Sequence, residues 1–152
     1  MCDFVVNVND FLVNTFRSIL KVEEKVLKNE KCKNLSISEL HLIEAIGKKS
    51  AMTVTQIAEK LSITLPSVTA AINKLRLKGY VKKERSEEDR RTVWVTLTEA
   101  GKEVELVHEK FHNELVASIA NSFDETEKEN LLDIVKKLDS FFKITLDKGC
   151  ES

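Results

Sequence analysis

Two histidines lie four residues apart in the segment HEKFH, residues 108–112. On a helix this spacing places both imidazoles on one face, where they could bind zinc. Because a zinc site needs three or four converging ligands, the pair would need partners from other segments. The candidate metal ligands are Glu24, Cys32, His41, His108 and His112. The alternative, which we favour, is a polar network that joins helices without a metal, and we therefore expect no cofactor.

The same segment has the form HExxH, in which the glutamate of a zinc hydrolase acts as the general base. A hydrolase would also need a third ligand and a substrate cleft, and the sequence contains no Gly-rich phosphate loop or GxSxG motif. We therefore expect a protein that is not an enzyme. The cysteines, Cys2, Cys32 and Cys150, form no CxxC pair, so a disulfide framework is not indicated. A thiol switch is kept as an alternative.

A second group with chemical potential is SEEDRR, residues 86–91, in which three acidic residues meet two arginines. A planar guanidinium such as that of Arg91 fits the narrow minor groove of DNA, where the potential is strongly negative. Asp89 lies two residues earlier and could hold that guanidinium in a charge-assisted hydrogen bond. The alternative is a solvated turn whose charges cancel, and the flanking elements decide between the two.

Helical spacing of apolar residues predicts a first helix over 8–28, followed by a polar connection, KNEKCKNL. Ser36 and Glu39 then form a capping box, in which each side chain bonds the backbone N–H of the other at a helix start. This second helix buries an apolar side and ends before Gly47, a natural helix stop.

The next segment repeats the capping device with Thr53 and Gln56 and predicts a short helix over 54–61. A tight turn follows, in which Ser62 stands where glycine is common and Ile63 is expected to fill the turn. Small Ala58 would allow two helices to cross closely, and Val68 would fill the core beneath the crossing.

Another helix begins at Thr64, with Pro66 in its first turn, and stops at Gly79. Two strand-like segments, YVKKERS and TVWVTL, follow and flank the acidic and basic loop, which predicts a β-hairpin. Helical spacing returns over 98–120, and Asp124 with Glu127 caps a last helix. A short helix, a turn, a second helix and a basic hairpin form a winged helix-turn-helix.

The predicted fold is mainly α with a small β-hairpin wing. The winged helix-turn-helix domain covers 35–98, and the N- and C-terminal helices, 1–34 and 99–152, form a dimerisation region. The second helix of the motif would enter the DNA major groove, where hydroxyl and amide side chains read base edges. Lys74, Arg76 and Lys78 suit phosphates. The predicted DNA-binding residues are Thr64, Leu65, Ser67, Thr69, Ala70, Asn73, Lys74, Arg85, Asp89, Arg90 and Arg91.

Charge distribution favours a polyanionic partner at one place only. The net charge is −1, yet residues 72–91 hold eight basic and four acidic side chains. No apolar run reaches the ~20 residues that span a bilayer, and the N-terminus lacks the basic flank of a signal peptide. We therefore expect a cytoplasmic protein with no membrane partner. The apolar stripes of the first and last helices predict a homodimer interface.

The run from Thr53 to Thr98, with its hairpin motif DRRTVWVTLT, resembles the MarR family of winged-helix regulators. The resemblance implies that Arg91 enters the minor groove of a pseudo-palindromic operator and that Asp89 supports it. Further pieces, SISELHLIEAIGK and VHEKFH among them, are similar to the FabT-type repressors of fatty-acid synthesis genes. For these the resemblance implies long-chain acyl-(acyl carrier protein) as the corepressor.

The corresponding ligand pocket would involve Phe16, Leu20, His41, His108, Phe111 and His112. A zinc-sensing role and a small lipophilic effector, as in other members of the family, remain the alternatives.

Overall fold

The computed structural model describes residues 2–47, 51–89 and 91–149. In chain order its elements are α1 (Cys2–Glu23), α2 (Ile37–Ile46), β1 (Met52–Thr53), α3 (Val54–Leu61), α4 (Leu65–Leu77), β2 (Val81–Arg85), β3 (Val93–Leu97), α5 (Glu99–Ala120) and α6 (Glu125–Gly149). The predicted helical fold with a small wing is confirmed. The chain divides into two compact units, one up to Phe111 and one from His112 onward. In the described ranges, no helix has the length and apolar character needed to cross a bilayer.

The first helix differs from its prediction at both ends. The predicted range was 8–28, whereas α1 begins at Cys2 and ends at Glu23. A single 3-10 turn, Val26–Lys28, follows it and turns Val26 into the core. The connection after this turn was expected to be simply polar, which is wrong, because Cys32 and Leu35 are both buried in it. These apolar side chains anchor the connection to the core of the first unit.

The capping boxes predicted for α2 and α3 are confirmed, and so is the reciprocal cap of Asp124 and Glu127 at the start of α6. At the start of α2, Glu39 N–H donates to Ser36 Oγ at 3.2 Å, and Ser36 N–H donates to the Glu39 carboxylate at 2.8 Å. At the start of α3, Gln56 N–H donates to Thr53 Oγ1 at 3.2 Å, and Thr53 N–H donates to Gln56 Oε1 at 2.9 Å. Because these bonds satisfy N–H groups that the helix itself cannot, they fix where each helix begins.

The turn between α3 and α4 is a Schellman motif, a hydrogen-bonded helix end closed by a left-handed residue. Ser62 adopts φ 53° and ψ 42°, the left-handed conformation for which glycine is usually chosen. Ser62 N–H donates to Glu59 O, and Ile63 N–H donates to Ala58 O, both at 3.1 Å. The expectation that the Ile63 side chain fills the turn is wrong, since that residue is 44% exposed. It closes the turn through its backbone instead.

The sheet is antiparallel with strand order β1-β3-β2. The hairpin of β2 and β3 was predicted, and its register pairs Val81 with Leu97 and Arg85 with Val93. The two-residue β1 was not predicted, because Thr53 also acts as a helix cap and the strand is too short to show alternation.

The core of the first unit lies between α2, α3, α4 and the sheet. Its fully buried members come from every one of these elements and from the start of α5. They include Leu40, Ile43, Ile46, Ile57, Val68, Ile72, Leu75, Val95 and Val104. The buried side of α4 therefore leaves its opposite side to solvent.

Candidate nucleic-acid interface

The helix α4 presents a polar side to solvent. Thr64 caps the helix by accepting from Ser67 N–H at 3.4 Å, and the hydroxyls of the two residues lie 2.8 Å apart. Farther along, Thr69 donates its hydroxyl to Leu65 O at 2.9 Å and is partly buried. The other predicted base-reading residues, Leu65, Ala70, Asn73 and Lys74, are exposed. This side has the mixture of hydroxyl, amide, methyl and ammonium groups that reads base edges and phosphates.

The wing tip is held by Asp89. Its Oδ1 accepts from the backbone N–H of Arg91 at 2.9 Å, and its Oδ2 accepts from the Thr92 hydroxyl at 3.0 Å. A backbone bond from Ser86 N–H to Thr92 O, at 3.0 Å, closes the hairpin beneath the tip. The sequence predicted a bond from Asp89 to the Arg91 guanidinium, whereas the contact formed is to the Arg91 backbone. Asp89 thus fixes the loop from which the exposed Arg91 projects.

The wing and α4 also share a groove that the sequence did not indicate. Lys83 on β2 donates to Asn73 Oδ1 on α4 at 3.1 Å. One open cleft beside this bond is lined by Asn73, Arg76, Lys83 and Arg85 among others. A second cleft reaches from Leu65 and Thr69 to Arg91. Lys83 was missed as an interface residue, although strand alternation gives it the same facing as Arg85, which was predicted.

One basic residue expected to meet phosphates is used elsewhere. Lys78 donates to both carboxylate oxygens of Glu39 at 2.8 Å and to Asn34 O at 2.7 Å. The ammonium group of Lys78 is thus engaged by Glu39 and Asn34, although its side chain is exposed, as is that of Lys74 one turn earlier. Arg90, another predicted DNA contact, lies outside the described residues.

Three of the residues with metal-binding side chains converge in the first unit. Donor atoms of Glu23, His41 and His108 all lie within 4.8 Å of one another. His41 Nε2 is 3.2 Å from Glu23 Oε1, and the two imidazole centroids are 5.9 Å apart. His108 Nδ1 also lies 3.7 Å from a carboxylate oxygen of Glu44. Glu23 and His108 are buried, while His41 is partly open to solvent.

This cluster shares His41 and His108 with the predicted ligand set. Glu24 is exposed, and the acid that meets the histidines is its neighbour Glu23, which α1 turns inward. Cys32 is buried among apolar residues, and that burial raises the pKa of its thiol, so it is a core residue. His112 belongs to the second compact unit. The Cys2 side chain and Cys150 lie outside the described parts of the chain.

The predicted ligand-pocket residues occupy different environments. Phe16 is 64% exposed on α1, and Leu20 is half-buried. Phe111 is partly buried and packs against the core. His41 and His108 are in contact through their rings.

Comparison with known proteins places this geometry in a family. Residues 35–93 match the MarR family. Among solved structures, FabT of Streptococcus pneumoniae in complex with DNA superposes with a TM-score of 0.88 and 33% identity, covering 93% of this chain and 99% of FabT.

The relatives found by sequence similarity are also transcriptional regulators of the HTH type. The HTH-type transcriptional regulator BilQ of Clostridium symbiosum is 30% identical over 105 residues, 68% of this chain and 72% of BilQ. The HTH-type transcriptional regulator YhjH of Bacillus subtilis is 28% identical over 98 residues, 64% of this chain. The match spans only 56% of YhjH, so the chain corresponds to about half of that relative. Because the similarity to FabT and BilQ reaches at least 30% identity over more than two thirds of each, the chain belongs to the MarR family.

Proposed function

We propose that this protein is a homodimeric, sequence-specific DNA-binding regulator of transcription. The observation that carries the proposal is the exposed polar side of α4 beside a wing whose tip Asp89 holds in place. The likeness to FabT, solved in complex with DNA, supports DNA binding by this chain. In this role α4 enters the major groove and Arg91 reaches the neighbouring minor groove. The partner would be chromosomal DNA, which implies a cytoplasmic location.

A dimer would present two such surfaces to one duplex. In the first unit, α1 exposes Phe4, Phe11 and Phe16, each by more than half, and in the second unit α6 exposes Phe141 to a similar degree. Contiguous exposed apolar faces of this kind are typical of subunit interfaces. We propose that residues 1–34 and 99–152 form the dimerisation region, as the sequence predicted. Two-fold symmetry would then require a pseudo-palindromic operator with half-sites roughly 34 Å apart.

Selection of duplexes from a random pool tests this proposal without knowledge of the operator. The full-length protein should enrich an inverted repeat whose half-site centres are about one helical turn, or a multiple of it, apart. Enrichment of no sequence over the input pool would contradict sequence-specific binding. Enrichment of a single half-site would contradict the dimer while leaving DNA binding intact.

For the regulated genes, we propose repression of fatty-acid biosynthesis with long-chain acyl-(acyl carrier protein) as the corepressor. The support is the similarity to FabT over nearly the whole chain, together with the Phe-rich α1. A corepressor can strengthen operator binding only if it binds the DNA-competent arrangement of the dimer more tightly than the other arrangements. The acyl chain would therefore be expected to contact groups that differ between those arrangements.

Titration with acyl carrier protein tests the corepressor. The selected duplex and the full-length protein are mixed with unacylated or long-chain acylated carrier protein, and operator affinity is measured by fluorescence anisotropy. We expect only the acylated form to raise the affinity. Equal effects of the two forms would count against acyl recognition, even where DNA binding itself is intact.

A second candidate signal is a divalent metal, favoured by the convergence of Glu23, His41 and His108. One carboxylate and two imidazoles are a donor set that zinc accepts, with a fourth position left for water or another ligand. Regulation would then follow from metal binding between α1, α2 and α5, the helices that supply the three donors.

Equilibrium dialysis against zinc separates this candidate from the first. If zinc is the signal, one zinc per chain should bind and should be lost in His41→Gln, whose partly open position makes a change there tolerable to the fold. His112→Gln is the matched control, since His112 is outside the three-residue cluster. Zinc retained by His41→Gln and lost by His112→Gln would contradict the assignment to Glu23, His41 and His108.

A further inference from the structure

The ammonium group of Lys78 lies where three acceptors converge. It is 2.8 Å from each carboxylate oxygen of Glu39 and 2.7 Å from the carbonyl oxygen of Asn34. Lys78 is the C-terminal cap residue of α4, so these bonds act at one end of the helix proposed to enter the major groove. All three donor protons of an ammonium group can be satisfied by such a set.

Both partners of Lys78 are themselves held in place. Glu39 is 8% exposed and also accepts from Ser36 N–H in the capping box of α2. Burial is the largest influence on its pKa and raises it, but the hydrogen bonds from Lys78 and Ser36 together bring the pKa below its usual value. Glu39 is therefore an anionic anchor fixed to the start of α2.

Asn34 lies in the connection between α1 and α2, which is tied down at several other points. Cys32 and Leu35 bury their side chains in the core on either side of it. The Tyr80 hydroxyl donates to Lys31 O at 3.2 Å, and Lys31 Nζ pairs with Glu103 on α5 at 3.0 Å. The end of α4 is thus fastened to a connection that is itself fastened to the core and to α5.

We propose that Lys78 is a positioning residue that sets the pose of α4 by tying its C-terminal end to Glu39 and Asn34. This role rests on the proposed DNA binding and replaces the phosphate contact expected from the sequence. A helix that enters the major groove must place several side chains against base edges at once, so a change in its angle affects recognition more than general attraction. Lys78 would therefore govern sequence discrimination without touching DNA.

Two neighbouring lysines of the same helix provide a matched comparison. Lys74 and Lys78 are one turn apart, and each change to Met removes one positive charge. Loss of a phosphate contact weakens binding to all sequences about equally and reduces the slope of log K against log salt by roughly 0.9. Loss of a positioning contact leaves that slope unchanged and lowers the ratio of specific to non-specific affinity.

The experiment measures both quantities for the full-length protein with two probes. One is the duplex that the wild-type protein selects from a random pool, and the other is a shuffled duplex of the same composition. We expect Lys74→Met to lower the slope of log K against log salt by about one and to leave the ratio of specific to non-specific affinity unchanged. We expect Lys78→Met to keep the slope and to lower the ratio on the order of tenfold, the discrimination carried by one base contact.

Glu39→Gln provides a second, opposite change of charge. It removes a negative charge, so electrostatics alone would strengthen binding to both probes. A positioning role predicts instead a lower ratio of specific to non-specific affinity. The double variant with Lys78→Met should be no worse than Lys78→Met alone, because that change already removes the ammonium group to which Glu39 bonds. Circular dichroism verifies folding, and if Lys78→Met fails to fold, the near-isosteric Glu39→Gln decides the question.

Two results would overturn the inference. In the first, Lys78→Met lowers the slope of log K against log salt by about one but leaves the ratio of specific to non-specific affinity unchanged. Lys78 would then be a phosphate contact. The other is an unchanged ratio in Glu39→Gln. If the wild-type protein selects no duplex at all, the proposed function fails and this inference fails with it.

Discussion

Glu39 performs two tasks with one carboxylate. It caps α2 through Ser36 N–H and holds the ammonium group of Lys78 at 2.8 Å. A buried carboxylate with two such partners stabilises the fold only while it is ionised. Its protonation state therefore links the stability of the helix-turn-helix to pH.

The sign of this pH dependence follows from the lowered pKa. Because the pKa of Glu39 in the folded chain lies below the ordinary value of 4.5, its contribution is present above pH 4.5 and is lost as pH falls through the folded pKa. Urea denaturation of wild type and Glu39→Gln, near neutral pH and below pH 4.5, measures the effect. We expect the wild type to lose more unfolding free energy than the variant on acidification. Equal losses would show that Glu39 is not linked to folding.

Several residue roles could be predicted from sequence because they depend on local backbone chemistry. The capping boxes and the left-handed Ser62 are decided within a few residues of chain. The partners of Lys78 and Asp89 could not be predicted from sequence, because they depend on which neighbour approaches most closely. Lys78 meets an acid 39 positions away, and Asp89 meets a backbone N–H where a guanidinium was expected.

The helix α5 approaches the hairpin closely at Gly101. A Cβ built there would overlap the carbonyl oxygen of Tyr80 and lie 3.3 Å from Leu97 Cβ. That carbonyl is fixed, because it accepts from Thr98 N–H at 3.0 Å. The absence of a side chain at Gly101 is therefore what allows the first turn of α5 to pack on the strands.

Gly101→Ala should consequently destabilise the protein. Overpacking against fixed atoms costs about 1–3 kcal/mol, and we expect it to outweigh the helix-propensity gain of about 1 kcal/mol from replacing glycine. Denaturant unfolding should show a lower free energy of unfolding for Gly101→Ala than for the wild type. Asn113→Ala, a control at an exposed position of the same helix, should show no such loss. Unchanged or increased stability of Gly101→Ala would contradict the close packing.

Elements were predictable where the pattern was long or capped. The bounds of α2, α3 and α4 follow their capping and stop signals within a residue or two. The first helix was misplaced because its apolar positions continue into Val26, which is buried from a 3-10 turn. Similarly, β1 escaped prediction because two residues carry no periodicity.

Exposed apolar faces mark the helices outside the winged motif. On α6, Leu132, Ile134, Phe141 and Phe142 are each 45–61% exposed. Sequence reasoning placed these residues on helices and assigned them to a dimer, but a single chain does not contain the partner that would cover them.

The expectation that the protein is not an enzyme is confirmed by its membership of the MarR family.

A charge placed in the apolar face of α6 should separate the subunits. Phe141→Asp would bury an unpaired carboxylate at the proposed interface, which is strongly unfavourable. Sedimentation velocity should then show a monomer, or a dimer with a much higher dissociation constant. Ser140→Asp introduces the same group at the adjacent residue and should remain dimeric. A dimer of unchanged affinity in Phe141→Asp would exclude this face from the interface.

If the wing of this chain contacts DNA through Arg91, a change at Arg91 should lower operator affinity. In anisotropy titrations of the selected duplex, we expect Arg91→Ala to bind more weakly than the wild type, by on the order of 1–3 kcal/mol of binding free energy. Lys28→Ala, which removes one positive charge at an exposed position before α2, should bind as the wild type does. If Arg91→Ala bound the duplex as tightly as wild type and Lys28→Ala, the wing would not be part of the DNA interface.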